Sequence, residues 1–269
     1  MQYDPIKKSL GNVFNKTPFL RIVFYRLLDI LLLRSWHIKK ELRLWKKTAP
    51  KDAQILDAGA GFGQYVYHFS SMSPQYSVKG VDVKEEQIAD CNAFFTSIKQ
   101  QHRIKFEYAD LTQFNEPNTY DLILSVDVME HILEDVKVFE NFVSSMKKGA
   151  MLLISTPSDQ GGSDVHDDHE DGFVDEHVRD GYNIKDIEQK LLTAGFSKVE
   201  ARYSYGCPGK IAWKLSMKYP ILMLNATKLC FIILPFYYLA VAPFVLLLNL
   251  RDLYKTHKTG TGLIVKAWK

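Results

Sequence analysis

Lys51-Asp-Ala-Gln-Ile-Leu-Asp57-Ala-Gly59-Ala-Gly61-Phe-Gly63-Gln64, followed by Val78-Lys-Gly-Val-Asp82-Val83, is the stretch whose reading decides the fold. An apolar strand runs into a turn with three alternating glycines, and a second strand ends in a carboxylate. Glycine admits positive φ and close backbone approach, so the loop after Leu56 is suited to presenting amide N–H groups to a polar ligand at the start of a helix. Asp82 is then expected where a ribose diol binds.

Two nucleotide-type cofactors suit such an arrangement, and the glycine spacing separates them. A dinucleotide fingerprint needs Gly-x-Gly-x-x-Gly, because its pyrophosphate lies on the helix N-terminus. Here Gly59, Gly61 and Gly63 alternate strictly, and the third dinucleotide glycine falls on Gln64. Asp57-x-Gly-x-Gly-x-Gly instead resembles the first motif of class I S-adenosylmethionine-dependent methyltransferases, whose cofactor carries no phosphate.

The resemblance continues in chain order. Val81-Asp82-Val83 is similar to the ribose-binding motif, and Tyr108-Ala109-Asp110-Leu111 to the segment whose acid holds the adenine amino group. Tyr120 to Ile132 resembles the fourth strand and its exit, and Lys148 to Pro157 the fifth strand. The match runs from Pro50 to Gly206 and is specific as a set. It implies an α/β, Rossmann-like seven-stranded sheet, S-adenosyl-L-methionine as cofactor, and cofactor contacts at Asp57, Ala58, Gly59, Gly61, Gly63, Asp82, Val83, Asp110, Leu111 and Ser125. The blander alternatives are another nucleotide-binding α/β domain or a pseudoenzyme, with Asp57 only a helix cap and Asp110 only a turn residue.

With 269 residues, 46% of them hydrophobic, the chain can bury one large core. Cys91, Cys207 and Cys230 lack paired spacing, which predicts reduced thiols in a cytoplasmic setting. No signal peptide is expected, since Arg21, Arg26 and Asp29 break the early apolar stretch. The net charge of +3 hides a division: acids are sparse before Lys51, and Asp252 is the only one after Gly206. The basic residues interleave with aliphatic runs, which argues for an anionic membrane surface rather than nucleic acid.

Residues 1–49 are predicted to form basic amphipathic helices. Leu20, Phe24, Leu27, Leu31, Ile38, Leu42 and Trp45 make a stripe interrupted near Arg34, while Trp36, His37, Lys39 and Lys40 suit a lipid headgroup region. Ile22, Val23, Leu28, Leu32 and Leu33 are expected as additional exposed apolar residues; packing of the stripe on the catalytic domain is the alternative. Residues 50–206 are the methyltransferase core. Residues 207–256 read as an apolar helical insertion between the sixth and seventh strands, and 257–269 as the final strand. Thr227 to Leu250 is long enough to span a bilayer, but a single crossing would leave the last strand on the wrong side. Ile211 to Leu224 is too short and charged for a second crossing, with Pro220 interrupting it, and Pro235 and Pro243 favour kinked or broken helices. The insertion is therefore expected to dip into one leaflet or roof a greasy pocket, peripheral or monotopic on the cytoplasmic face; a homodimer interface is the alternative.

The acidic segment Asp159 to Asp180 carries His166, His169 and His177 among carboxylates without a regular ligand ladder, so no metal is expected. Its place beside the substrate mouth favours gating or a general base at His166. His131, where the fourth strand ends, is the other candidate base, with a structural hydrogen bond as its alternative role. The expected activity is methyl transfer to a lipophilic acceptor, lipid-, quinone- or polyketide-like, near a membrane. The alternatives are a small soluble phenol, acid or amine as acceptor, and a membrane-bound protein that keeps cofactor without turnover.

Overall fold

The computed structural model describes residues 17–161, 178–227 and 229–269. Two helices, α1 (Pro18–Leu31) and α2 (Leu33–Trp45), precede an alternation of strands and helices. These are β1 (Gln54–Ala58), α3 (Gln64–Met72), β2 (Ser77–Asp82), α4 (Glu85–Ser97), β3 (Ile104–Tyr108), β4 (Tyr120–Val126), α5 (Asp135–Ser145), β5 (Met146–Pro157), α6 (Ile184–Thr193) and β6 (Lys198–Ser204). Four further segments follow: α7 (Cys207–Trp213), a π-helical turn at Lys214–Lys218, α8 (Tyr219–Ala226) and α9 (Cys230–Tyr254). Strand β7 (Gly262–Trp268) closes the sheet in the order β3-β2-β1-β4-β5-β7-β6.

Strands β1 to β5 pair in parallel, and β7 is antiparallel to both β5 and β6. The near-continuous apolar runs of β1, β4 and β5 follow from burial on both faces. Successive residues point to opposite sides. Ile55, Leu122 and Leu124 meet Tyr25, Ile38, Leu42, Phe69 and Phe94 on one face, while Leu56 and Ile123 join Phe139, Phe142, Ile187 and Leu191 on the other. Helices α1 to α4 thus cover one face, and α5 and α6 the other.

The N-terminal stripe divides between packing and exposure. Ile38 and Leu42 are fully buried and Phe24 packs on the same core, whereas Leu27 of the stripe is exposed, as are Phe19 and Ile30 outside it. Leu33, expected at the surface, is buried, and His37, expected among headgroups, has no exposure at all. The helix break falls at Leu32, whose extended backbone separates α1 from α2.

His37 is buried because it joins the helical insertion to the core. Its Nε2 lies 3.0 Å from Asp252 Oδ1, and its Nδ1 lies 3.1 Å from Arg202 Nη1. A guanidinium only donates, so Nδ1 accepts and the Nε2–H points at Asp252. Asp252 also accepts from Tyr205 N and Gly209 N, and its Oδ2 lies 3.1 Å from His257 Nε2. Burial depresses the His37 pKa more than the Asp252 bond raises it. At Asp252 burial acts upward, but the bond from His37 and the charge of His257 outweigh it and hold the carboxyl below its usual value.

The insertion departs from its expected outline. Pro220 does not interrupt the helical path, because the π-turn precedes it. Tyr219 N donates back to Lys214 O, skipping Leu215 O, and Pro220 has no N–H for Ser216 O. Both freed carbonyls are taken across the lobe, Leu215 O by the Tyr237 hydroxyl (2.6 Å) and Ser216 O by the Tyr238 hydroxyl (2.7 Å). Helix α9 runs unbroken for 25 residues with Pro235 and Pro243 inside it.

Removing the carboxylate at this junction leaves His37 and two backbone amides without their acceptor and takes the ion-pair partner from His257, which keeps the Asp252 backbone carbonyl. Asp252→Ala is expected to cost about 3–5 kcal/mol in urea unfolding at pH 7. A loss below about 1 kcal/mol would show the junction to be incidental. A folded-state pKa below the unfolded value means that the His37 contribution is complete above pH ~6.5 and declines as pH falls through it. The Asp252 contribution declines only below pH ~3.9.

Candidate active site

The expected cofactor residues converge at the C-terminal ends of the parallel strands, where open α/β sheets bind ligands. Ala58 pairs with Ser125 across β1 and β4, and Asp57 lies opposite Gly80 of β2, two residues before Asp82. Gly59 N and Ala60 N both donate to Val81 O at 2.9 Å. Gly59 has φ +80, and a Cβ there would sit 2.2 Å from Val128 Cγ2, so only glycine lets the loop pass under the exit of β4.

Asp82 ties the glycine loop to β2. Its Oδ2 accepts from Gly61 N at 2.8 Å and its Oδ1 from Lys84 N at 3.0 Å. Gln64, where a dinucleotide fold would need glycine, instead sends its side-chain amide to Asp29 (2.9 Å) and Ser35 (3.1 Å), joining α3 to the N-terminal helices. Val83 is exposed beside Asp82, and Leu111 is buried. Asp110 Oδ1 accepts from Thr112 N and Oγ1, and Tyr108, Ala109, Asp110, Gln113 and Phe114 line a depression beyond β3.

Two buried polar atoms at the strand ends, Asp57 Oδ2 and Ser125 Oγ, have no hydrogen-bond partner among the described residues. Such orphans carry a desolvation cost that a ligand can relieve. Burial, and after it the Asp82 carboxylate, pushes the Asp57 carboxyl up to about 8, so it stands protonated at neutral pH and can donate a hydrogen bond. Glycines that need positive φ, a carboxylate at the end of β2 and unpaired polar atoms beneath the loop fit a polar nucleoside cofactor such as S-adenosylmethionine.

The exit of β4 supplies the remaining chemistry. Asp127 takes φ +52, uncommon for a residue with a side chain, and its N–H donates to Ser155 O at 2.8 Å. Its carboxylate pairs with Arg34 from α2, whose backbone N–H donates to the Tyr205 hydroxyl at 3.0 Å. Arg34 and Tyr205 belong to no recognisable motif; the one signal is the break that Arg34 makes in the apolar stripe. Burial raises the Tyr205 hydroxyl to about 12, keeping it neutral.

Met129–His131 form a single 3-10 turn. Glu130 is buried, accepts from Thr156 Oγ1 at 3.1 Å, and burial raises its pKa. His131 is half-buried on the same turn. The turn is braced from the end of the acidic segment: Val178 N donates to Glu130 O (3.1 Å), Arg179 Nη2 to Ile132 O (2.7 Å), and the Tyr182 hydroxyl to Met129 O (3.1 Å). Arg179 also pairs with Asp135. His166, His169 and His177 lie outside the described residues.

This sheet order and loop define the fold of the class I S-adenosylmethionine-dependent methyltransferases. The model of a family described as a methyltransferase domain matches residues 50–204, more than half of the chain, and the chain belongs to that family. Phosphoethanolamine N-methyltransferase from Triticum aestivum is 28% identical over 151 residues, covering 55% of this chain and 28% of that protein. Phosphoethanolamine N-methyltransferase 1 from Zea mays is 30% identical over 154 residues, covering 55% and 29%. The chain thus spans less than a third of these relatives. Among solved structures, Haemonchus contortus phosphoethanolamine N-methyltransferase 2, in complex with phosphomonomethylethanolamine and S-adenosylhomocysteine, aligns with TM-score 0.60 at 19% identity, covering 90% of this chain and 59% of that one. A sarcosine dimethylglycine methyltransferase from Galdieria sulphuraria aligns with TM-score 0.56 at 16% identity, covering 86% and 82%.

Asp82→Ala removes the acceptor of Gly61 N and the carboxylate at the end of β2. Calorimetric titration is expected to show S-adenosylmethionine affinity weakened by about 1.5–3 kcal/mol for each charge-assisted hydrogen bond lost, with the fold retained. Unchanged affinity would contradict the placement of the cofactor at this loop.

Proposed function

We propose that the chain transfers the methyl group of S-adenosylmethionine to a lipophilic acceptor at a membrane surface, with the protein peripheral or monotopic on the cytoplasmic face. The observation that carries this reading is α9. It is long and apolar enough to cross a membrane, yet hardly any of its apolar stretch is buried. Phe231, Ile232, Phe236, Leu239, Phe244 and Leu247 are all exposed on it. Single exposed apolar residues are ordinary, but so dense a set marks an interaction surface. The root of the lobe reaches the candidate site, since Asp252 holds Tyr205 N while the Tyr205 hydroxyl holds Arg34.

In this reading Asp82 and Val83 meet the ribose, Asp110 and Leu111 the adenine, and Asp57, Ala58, Gly59, Gly61, Gly63 and Ser125 the remainder of the cofactor. S-adenosylmethionine supplies a methyl already activated by positive sulfur, leaving the protein to align the acceptor and exclude water. His131 is the candidate base for a hydroxyl acceptor. A second reading, a small soluble amine, draws on the relatives that methylate phosphoethanolamine, and would leave α9 to a homodimer interface.

Full-length protein in mild detergent, given methyl-labelled S-adenosylmethionine, separates the readings. With membrane lipid extract, label is expected in the organic phase, and His131→Gln should lower turnover on a hydroxyl acceptor by ~10²–10⁴ while sparing cofactor affinity. Label that appears only with phosphoethanolamine, in the aqueous phase, would select the second reading. No label with either would refute both.

A further inference from the structure

Beyond the methyltransferase match, α1 reaches the back of the glycine loop with a buried cation. Arg21 is 4% exposed and Tyr25 1%. Arg21 Nη2 donates to Phe62 O at 3.0 Å, Nη1 to Asp90 O at 3.1 Å, and Nε to the Tyr25 hydroxyl at 2.7 Å. The Tyr25 hydroxyl donates to the same Phe62 carbonyl. Cys91, whose sulfur lies 3.0 Å from Arg21 Nη2, in turn meets Gly61 O at 3.4 Å.

The hydrogen bonds of this guanidinium among the described residues go to neutral acceptors, the Phe62 and Asp90 carbonyls, the Tyr25 hydroxyl and the Cys91 sulfur. A buried charge needs its hydrogen bonds, and the Phe62 carbonyl, one of the four acceptors of Arg21, is also the acceptor of the Tyr25 hydroxyl. That carbonyl belongs to the Phe62–Gly63 peptide, and Phe62 stands between two positive-φ glycines, Gly61 (φ +48) and Gly63 (φ +77). The N–H of the same peptide, Gly63 N, donates to Ala60 O at 2.8 Å, and Gly61 N, two peptides earlier, donates to Asp82 Oδ2 at 2.8 Å.

We propose that Arg21 and Tyr25 are positioning residues for the cofactor: a clamp from α1 on the Phe62 carbonyl that preorganises the glycine loop, making S-adenosylmethionine affinity depend on a helix outside the family's domain. The proposal rests on the glycine loop being the cofactor site. Linkage makes the effect reciprocal, so cofactor binding stabilises the seating of α1. Preorganisation acts by lowering the ordering cost on binding.

The test is calorimetric titration of the full chain with S-adenosylmethionine, joined to hydrogen exchange over residues 18–31. Wild type is expected to show slower exchange in α1 when the cofactor is bound. Arg21→Met should weaken affinity about tenfold or more and abolish that protection. Tyr25→Phe, which removes one hydroxyl and keeps the packing, should weaken affinity severalfold, with KM for the cofactor rising and kcat kept at saturation. Should Arg21→Met fail to fold, Tyr25→Phe decides. Affinity within twofold of wild type in the folded variants, or an exchange rate in wild-type α1 indifferent to cofactor, would overturn the clamp. Asp82→Ala separates the causes: if it weakens binding and the clamp variants do not, the clamp alone is wrong. If none of the three changes affinity, the loop assignment falls with it.

Discussion

Strand β7 lies between β5 and β6 and is antiparallel to both, and this placement constrains the rest of the molecule. Ser204 at the end of β6 pairs with Gly262 at the start of β7. The whole apolar insertion between them leaves and returns at one edge of the sheet. A helix that crossed a bilayer once could not satisfy that pairing. The lobe is therefore closed on itself, with α9 packed on the π-turn through Tyr237 and Tyr238. Its root is fixed by Asp252, a carboxylate surrounded by His37, His257 and two backbone amides.

The same root explains how a greasy surface and a polar site share one small chain. Tyr205 receives Asp252 at its backbone and Arg34 at its hydroxyl, and Arg34 pairs with Asp127 at the exit of β4. Helices α1 and α2 thus stand between lobe and site, and at their other end Arg21 and Tyr25 grip the glycine loop. Apolar burial holds these helices to the core through Ile38 and Leu42, while hydrogen bonds set the register at which they meet the loop.

Much of this was legible in the sequence because local chemistry dictated it. The alternating glycines allowed positive φ, the apolar runs read as strands, and the carboxylate expected at the end of the second strand is Asp82, which in the structure also accepts from Gly61 N. The seven-stranded sheet was implied by the family resemblance, and the helices between the last two strands were expected from the apolar run that precedes the final strand. Long-range pairing was not legible. Nothing near Arg34 announces Asp127, and nothing near His37 announces Asp252, 215 residues away. His37 sits among lysines and a tryptophan and so reads as a surface residue, yet tertiary hydrogen bonds bury it. Pro220 reads as a helix breaker because the compensation, a π-turn and a tyrosine hydroxyl from another helix, leaves no local trace.

In the proposed reading the apolar lobe enters one leaflet and returns to the side of the catalytic sheet. Thiol labelling of Leu229→Cys, at the turn between α8 and α9, in a Cys207→Ser background on sealed vesicles carrying the full chain outside, tests this most directly. The expected result is modification by a membrane-permeant reagent, with protection from an impermeant reagent whether added outside or trapped within. Labelling by the trapped reagent would mean that the lobe crosses the bilayer, and ready labelling by the external impermeant reagent would mean that it never enters one; either result overturns entry into one leaflet.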